Sequence, residues 1–225
     1  MTNSEKLSTQ KFELTPQMLL HAYTVGMFPM AEHRNDTNLF WVDPEMRGIL
    51  PLDNLHISRS LKKTIRQNQF EIRYNTSFYQ VITNCAKTKE NRQTTWINNQ
   101  IIDLYTKLFQ MGHSHTVECW QDNQLVGGLY GISLQGAFFG ESMFSLKPDA
   151  SKVALVHLVA RLIEDSFDLL DTQFTTDHLL RLGAIEIQRE VYLNHLKKAL
   201  MIDAKFNANG SRRKHQLYVE SLLQN

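Results

Sequence analysis

Asp171 and Gln173 are the two residues whose types and spacing best suit acid–base chemistry. The apolar residues around them, from Phe167 to Phe174, predict a β-strand, and residues two apart on a strand share one face. A carboxylate accepts protons and hydrogen bonds, and a neighbouring carboxamide both donates and accepts them. The pair could therefore orient an attacking amine and relay its proton. Equally, it could satisfy backbone groups where a strand leaves the core.

Glu141 is a second acidic candidate, because it stands in an aromatic setting with Phe138, Phe139 and Phe144. A carboxylate among aromatic side chains is suited to binding a cation or moving a proton, since burial changes its affinity for protons. An ordinary salt bridge or a charge at a strand edge is the other interpretation of this residue.

The stretch that carries Glu141, from Leu125 to Ser145, predicts a β-hairpin, because two apolar runs flank the turn Leu134-Gln135-Gly136. Glycine weakens a strand, since it brings no side chain to pack and costs backbone entropy. This hairpin nevertheless holds five glycines: Gly127, Gly128, Gly131, Gly136 and Gly140. We therefore expect another molecule to approach its backbone closely.

Large aromatic and apolar side chains supply candidates for a substrate site. Tyr23, Trp41 and Trp96 could stack a base or a sugar, although such residues are more often core. Side chains that could line an apolar pocket, or equally form core, are Met30, Leu129, Phe138, Leu158, Leu162 and Leu170. His113 and His115 have no third ligand at a suitable spacing, so we expect no metal site.

A basic helix is predicted from Ser58 to Arg66. Arg59, Lys62, Lys63 and Arg66 follow i, i+3, i+4, i+7 spacing and so share one helical face. Near the N-terminus of a helix, such a face suits contact with phosphates. A solvated helix face without a ligand is the alternative.

Composition sets the class of protein. The chain has 225 residues, 42% of them apolar, and a formal net charge of +1. These values allow one large domain, or a domain with a smaller lobe, and exclude a global basic field that would attract nucleic acid. Cys85 and Cys119 have no metal-ligand spacing, and the sequence has no apolar leader or spanning segment. We therefore expect a reduced cytosolic protein that does not contact a membrane.

The periodicity of the chain predicts an α+β architecture in two parts. Residues 31–54 read as irregular, since prolines and a glycine interrupt them, so we expect a small N-terminal domain over residues 1–50. Residues 51–225 alternate between helices and strands, which predicts an antiparallel core with helices on its faces. Residues 205–225, with the basic run Arg212-Arg213-Lys214, are assigned to a polar tail.

A series of segments over roughly residues 14–200 resembles, in the same order along the chain, the leucyl/phenylalanyl-tRNA–protein transferases. The N-terminal motifs are Leu14-Thr15-Pro16, Ala22-Tyr23, Gly26-Met27-Phe28-Pro29-Met30, and Trp41 with Pro44 and Arg47. The central motifs are His56-Ile57-Ser58-Arg59-Ser60-Leu61, Thr95-Trp96-Ile97, Gly112-His113-Ser114-His115, and Leu125-Val126-Gly127-Gly128-Leu129-Tyr130-Gly131. The later motifs are Phe138 to Ser145, Ala150-Ser151-Lys152, Asp171-Thr172-Gln173 and Leu182-Gly183-Ala184.

The resemblance implies a bacterial cytosolic enzyme, which we expect to be a monomer. It would move leucine or phenylalanine, with methionine as a further candidate, from aminoacyl-tRNA to the N-terminal Arg or Lys of a protein. The product would carry a degradation signal under the N-end rule. The implied fold is a small N-terminal domain and a larger acetyltransferase-like (GNAT) domain, with a mixed sheet flanked by helices and with neither metal nor coenzyme A as cofactor.

The resemblance also implies a role for each candidate residue. Gln173 would hold the reacting amine and carbonyl while Asp171 helps to take the proton, and Glu141 would grip the cationic acceptor. The aminoacyl side chain would lie among Leu129, Phe138, Leu158, Leu162 and Leu170. The terminal adenosine would lie near Tyr23, Met30 and Trp96. The acceptor-stem phosphates would meet Arg59, Lys62, Lys63 and Arg66.

Two other functions stay open at this point. An acetyltransferase that uses acyl-coenzyme A would have a similar fold, but it usually cradles pyrophosphate with a glycine-rich loop before the helix. The corresponding junction, Lys147 to Lys152, has no glycine and an added acid, Asp149. A module that binds RNA or basic N-termini without catalysis is the second alternative, and it would not need Asp171 and Gln173 as a pair.

Overall fold

The computed structural model describes residues 14–36, 38–88 and 94–224. The helices of this part of the chain are α1 (Pro16–Thr24), α2 (Arg59–Arg66), α3 (Phe78–Cys85), α4 (Asn99–Gln110), α5 (Ala150–Glu164), α6 (Asp177–Leu180), α7 (Arg189–Ala199) and α8 (Arg212–Gln224). The strands are β1 (Phe28–Met30), β2 (Phe40–Val42), β3 (Met46–Ile49), β4 (Glu71–Tyr74), β5 (Ser114–Gln121), β6 (Gln124–Leu134), β7 (Ala137–Ser145), β8 (Leu169–Gln173) and β9 (Ile185–Gln188).

A seven-stranded sheet runs in the order β4-β5-β6-β7-β8-β3-β9, and β1 and β2 form a separate antiparallel pair. Every neighbouring pair in the large sheet is antiparallel except β7 and β8. The predicted α+β class with a mainly antiparallel core is therefore confirmed.

The sheet separates two apolar clusters, because successive residues of a strand point to opposite faces. Phe138 packs into one cluster with α2, α5 and α8, whereas its neighbour Phe139 packs into the other with α1, α3, α4 and α7. Helices cover both faces of the sheet, so its central strands are buried on both sides.

The predicted hairpin is confirmed as β6 and β7, which pair up to Leu134 opposite Ala137. The expectation that its glycines admit another molecule is wrong for Gly127. A Cβ at that position would lie 2.4 Å from the Cβ of Ala150, so this glycine lets α5 pack onto the sheet. Gly140 differs, since a Cβ there would meet only ordinary contacts, the closest at 3.5 Å.

Two segments hold structure that the sequence pattern missed. Residues 31–54 contain β2 and β3, and β3 lies inside the large sheet between β8 and β9. Its pairing partners are more than a hundred residues away, so local periodicity gives no sign of them. The polar tail expected at residues 205–225 contains α8, which packs Val219 and Leu222 into the apolar cluster beside α5. The domain boundary at residue 50 stays a prediction, and β3 precedes it although it belongs to the large sheet.

The break between β7 and β8 creates the cleft that the rest of the structure surrounds. These two strands pair only from Ala137 opposite Leu169 to Phe139 opposite Asp171. Beyond that point β7 continues to Ser145 and stays paired with β6 on its other side. None of the described helices is long and apolar enough to cross a bilayer.

Candidate functional site

Glu141 lies at an irregularity of β7 that turns its side chain toward the cleft. Tyr130 of β6 pairs with Ser142, and Gly131 pairs with Gly140, so Glu141 is the extra residue of a β-bulge. Bulges occur next to active sites because they redirect one side chain and end regular pairing locally.

The Glu141 carboxylate collects hydrogen bonds from three side chains. Tyr23 Oη and Gln173 Nε2 donate to Oε1 at 2.6 and 3.2 Å, and Tyr105 Oη donates to Oε2 at 3.1 Å. The two tyrosine hydroxyls also bond to each other. Burial raises the pKa of the Glu141 carboxyl to about 7, while the hydrogen bonds from Tyr23 and Tyr105 act in the opposite direction. This acid therefore changes charge near neutral pH.

Gln173 reaches Glu141 because the backbone of β8 ends in an unusual conformation. Its φ of 57° is left-handed, a region that residues other than glycine seldom adopt. The backbone N–H of Gln173 donates to Oδ1 of Asp171 at 2.8 Å, which holds this turn in place. From this position the side chain donates to Glu141 at 3.2 Å.

Asp171 contacts Tyr192, whereas Gln173 contacts Glu141, which Tyr23 and Tyr105 hold. The three tyrosines belong to one apolar cluster, so both side chains lie on the same side of the sheet. Asp171 is fully buried and forms an ion pair with Arg47, whose Nη2 lies 2.7 Å from Oδ2 and whose Nε lies 3.0 Å from Oδ1. Tyr192 Oη donates to Oδ2 at 2.7 Å. A carboxylate has about four lone-pair sites, and these donors, with Gln173 N–H, occupy them. Asp171 therefore faces the core rather than the cleft.

Arg47 and Tyr192 are the residues whose roles sequence reasoning missed. The Arg47 guanidinium lies between the rings of Phe28 and Tyr192, 4.6 and 4.5 Å from their centroids, and its Nη1 donates to the carbonyl of Gly26. An arginine in a strand of mixed polarity gave no sign of burial. Its position within a matched motif was the only available signal.

An apolar pocket of about 90 Å³ opens beside Glu141, between β7, β8 and α5. Of the predicted lining residues, Leu129, Leu158 and Leu170 line it. Phe138 and Leu162 do not line it and belong to the buried apolar cluster. Apolar lining residues that the sequence reasoning did not assign to the pocket are Met143, Leu155 and Leu179.

The three residues expected near an adenosine have different environments. Tyr23 is fully buried, with its ring 4.8 Å from that of Phe139, so it cannot stack on a base and instead supports Glu141. Met30 and Trp96 are each half-buried against the apolar cluster on the α4 side. Trp41 on β2 is 42% exposed.

The predicted basic helix is confirmed as α2, with Ser58 at its N-cap accepting from Leu61 N–H at 3.3 Å. Leu61 and Ile65 are buried, which directs the opposite face outward. The basic side chains on this outer face are Arg59, Lys62, Lys63 and Arg66. Arg66 Nη2 also donates to the Leu223 carbonyl of α8 at 3.4 Å.

His115, one of the two alternating histidines, is committed to structure. Its Nδ1 bonds to Asn75 and its Nε2 to Ser133, each at 3.0 Å. Across residues 14–36, 38–88 and 94–224, no group of three metal-ligating side chains comes together.

Solved structures resemble this fold only weakly. A functionally unknown conserved protein from Staphylococcus epidermidis ATCC 12228 has a TM-score of 0.40 at 10% identity, covering 79% of this chain and 66% of that one. The structure of L-PGS from Bacillus licheniformis has a TM-score of 0.39 at 13% identity, covering 90% and 62%.

Sequence relatives are much closer. The family model described as Leucyl/phenylalanyl-tRNA protein transferase matches residues 49–197, and the model of its N-terminal domain matches residues 12–45. A Paramagnetospirillum magneticum (strain ATCC 700264 / AMB-1) protein named leucyl/phenylalanyl-tRNA–protein transferase is 54% identical over 198 residues, which cover 88% of this chain and 95% of that protein. Because these matches span nearly every element around the cleft, the chain belongs to the leucyl/phenylalanyl-tRNA–protein transferase family, which transfers leucine or phenylalanine from aminoacyl-tRNA to protein N-termini.

Proposed function

We propose that the cleft between β7 and β8 is the place where this chain transfers leucine or phenylalanine to a protein that begins with Arg or Lys. The product would be marked for degradation. One observation carries the proposal: a hydrogen-bonded carboxylate and carboxamide, Glu141 and Gln173, adjoin a small apolar pocket. The parallel pairing of β7 and β8, open beyond Asp171, also supports an acetyltransferase-like arrangement.

The pocket holds the aminoacyl side chain. A volume of about 90 Å³ equals roughly three water molecules at about 30 Å³ each, which suits a small branched side chain. Leu129, Leu158 and Leu170 exclude polar side chains, because none of them offers a hydrogen-bond partner. Met143 is unbranched and flexible, so its movement admits the larger ring of phenylalanine.

Glu141 binds the cationic side chain at the acceptor N-terminus. Its Oε1 already accepts two hydrogen bonds, whereas Oε2 accepts one, from Tyr105. Oε2 therefore retains the capacity for a donor from the acceptor. Tyr23 and Tyr105 keep their protons, since burial and the Glu141 charge raise the pKa of both hydroxyls well above the usual value.

Gln173 aligns the reacting groups. Its Nε2 is engaged by Glu141, which leaves Oε1 to accept a hydrogen bond from the attacking amine. The amine nitrogen bonds to the ester carbonyl carbon, the bond from that carbon to the ribose oxygen breaks, and one amine proton ends on the ribose oxygen. The ester is already activated, so alignment supplies much of the rate and no covalent enzyme intermediate is required.

Asp171 acts through other residues rather than on the substrate. It accepts the backbone N–H of Gln173 and pairs with Arg47, so it fixes the left-handed turn that brings Gln173 to Glu141. In this proposal Asp171 is a positioning residue, and it does not take the amine proton.

The tRNA is bound through its end and its phosphates. Met30 and Trp96 contact the terminal adenosine, and the outer face of α2 contacts acceptor-stem phosphates through Arg59, Lys62, Lys63 and Arg66. Coenzyme A fits less well, because Asp149 occupies the N-cap of α5 and pairs with Lys152 at 2.8 Å. That carboxylate would repel a pyrophosphate.

The test measures transfer of labelled leucine from charged tRNA to a peptide that begins with Arg. The same peptide with an acetylated N-terminus is the negative control, because it has no free amine. We expect Gln173→Ala to lower kcat at least tenfold. We expect Glu141→Gln to remove the preference for Arg over an uncharged first residue. Glu190→Gln, an exposed change on α7, is the matched control and should leave both values unchanged. Wild-type rates in either cleft variant would contradict the proposal.

A further inference from the structure

We propose that the start of α8, with the groove between α8 and β4, forms a second binding surface for the phosphates of the tRNA. This inference rests on the proposed function, because it assigns a further contact to the same RNA substrate. The surface consists of Arg212, Arg213 and Lys214 at the helix start, with Arg161 at the floor of the groove. Arg212 and Arg161 both line this groove, which also reaches the end of α2.

The charge at the start of α8 is unusual for a helix. The N-terminus of a helix carries a partial positive charge, which favours acidic residues in the first turn. Here the first turn holds Arg212, Arg213 and Lys214 and has no acidic residue. All three side chains are exposed. Cations placed against a positive helix end repel it, and a bound anion would reverse that cost.

These cations are largely uncompensated within the described residues. Lys214 lies 3.9 Å from Glu164, and no carboxylate of the described ranges comes within ion-pair distance of Arg212 or Arg213. Glu71 also lines the groove, but Arg73 holds it through two hydrogen bonds of 2.9 and 2.7 Å. The groove therefore presents a net positive charge.

The floor of the groove independently indicates an acceptor. Arg161 lines it and is only 1% exposed. Its Nη1 is paired with Glu164 at 2.8 Å and lies 3.9 Å from Asp165, but its Nε has no hydrogen-bond acceptor among the residues that the structure describes. A buried donor without an acceptor is costly, so an oxygen from a ligand would stabilise it.

The size and position of the groove fit a backbone rather than a small ion. Its volume is about 630 Å³, and it is lined from the end of α2 through β4 to α8. Thr64 and Ile65 of α2 belong to the lining, and Arg66 next to them hydrogen bonds to α8. The groove thus connects the C-terminal end of α2 with the start of α8. The matched family region ends at residue 197, so α8 lies outside it.

The experiment compares two leucyl donors. Leucylated tRNA has a phosphate backbone, and 3′-leucyl-adenosine has no phosphate. The variant is Arg212→Glu with Arg213→Glu. Acidic residues favour a helix N-terminus, so we expect this variant to fold at least as well as the wild type. The control, Lys197→Glu with Lys198→Glu on α7, makes the same change in net charge on another exposed surface.

We expect the α8 variant to raise the KM for leucylated tRNA roughly tenfold and to leave the rate with leucyl-adenosine unchanged. The slope of log Kd against log salt should fall by about one for each phosphate that the variant no longer binds. The control should change neither value. Unchanged tRNA affinity and salt slope in the α8 variant would overturn the inference. A raised KM for the acceptor peptide alone would also overturn it, because that result would indicate a surface that binds the protein substrate. Failure of the wild type to use either leucylated substrate would instead overturn the proposed function.

Discussion

Replacing Asp171 with asparagine separates a structural carboxylate from a catalytic one. Asparagine keeps the size of the side chain and one acceptor oxygen, so Gln173 N–H can still be bound at the position where it now lies 2.8 Å from Oδ1. The new amide group, however, points donors at Arg47 and Tyr192, which both donate to this side chain in the native protein. The guanidinium is then left buried without a counterion.

The expected loss of stability is large because both partners are buried. Arg47 is 1% exposed and Asp171 is 0% exposed. Removing one partner of such a pair typically costs about 3–5 kcal/mol, since an uncompensated charge remains inside. In a protein of this size about 1 kcal/mol shifts Tm by roughly 2–4 °C, so Asp171→Asn should lower Tm by about 6–20 °C. The double variant Arg47→Met with Asp171→Leu should recover only part of this loss. It removes both charges together, but it leaves Tyr192 Oη, Gln173 N–H and the Gly26 carbonyl without these partners.

The assay measures urea unfolding and peptide transfer on the same preparations, well below the lowered Tm. If Asp171 only positions Gln173, the folded variant should retain at least about one tenth of kcat with an unchanged pH profile. If Asp171 takes the proton, kcat should fall by about 10²–10⁴-fold, the usual contribution of a general base. A variant with native stability and that loss of kcat would refute our assignment.

Three other predictions concern the acid, the pocket and the RNA surface. The pKa of Glu141 is raised to about 7, so the charged carboxylate declines as pH falls through neutrality. We therefore expect the KM for a peptide that begins with Arg to rise several-fold between about pH 7.5 and 6. The Glu141→Gln variant should show no such rise. Leu158→Ala enlarges the pocket and should raise the ratio of kcat/KM for phenylalanine over leucine by roughly tenfold. Leu162 is buried but outside the pocket lining, so Leu162→Ala should lower stability without changing that ratio. Lys62→Glu with Lys63→Glu should reduce the salt slope of tRNA binding by about one to two, whereas a change in peptide KM alone would contradict the α2 assignment.

Local periodicity was sufficient for much of the fold. The turn Leu134-Gln135-Gly136 predicts the hairpin of β6 and β7, and the helical spacing of the basic residues from Arg59 to Arg66 predicts α2. These features depend on contacts within one or two turns of chain, so a window of sequence contains their cause.

The site could be predicted only as a set of residues, and not as an arrangement. Alternation placed Asp171 and Gln173 on one face, but it gave no sign that Arg47 and Tyr192 engage the Asp171 carboxylate. Leu129 and Leu158 line the pocket, whereas Phe138, equally apolar, is a core residue outside the lining. Nothing in composition or spacing distinguishes a side chain at a pocket from one in the core, because both are selected for burial.

The sequence by itself determined the family, the hairpin and the basic helix α2, since motifs and periodicity are written along the chain. The tertiary structure decided which partner each charge has. Arg47 and Asp171 are 124 positions apart, and only the pairing of β3 with β8 brings them together. The energy of an ion pair depends on the distance between the charges in space and not on their separation along the chain. For that reason Asp171, which spacing suggested as the proton acceptor, instead lies buried against Arg47 and accepts the backbone N–H of Gln173.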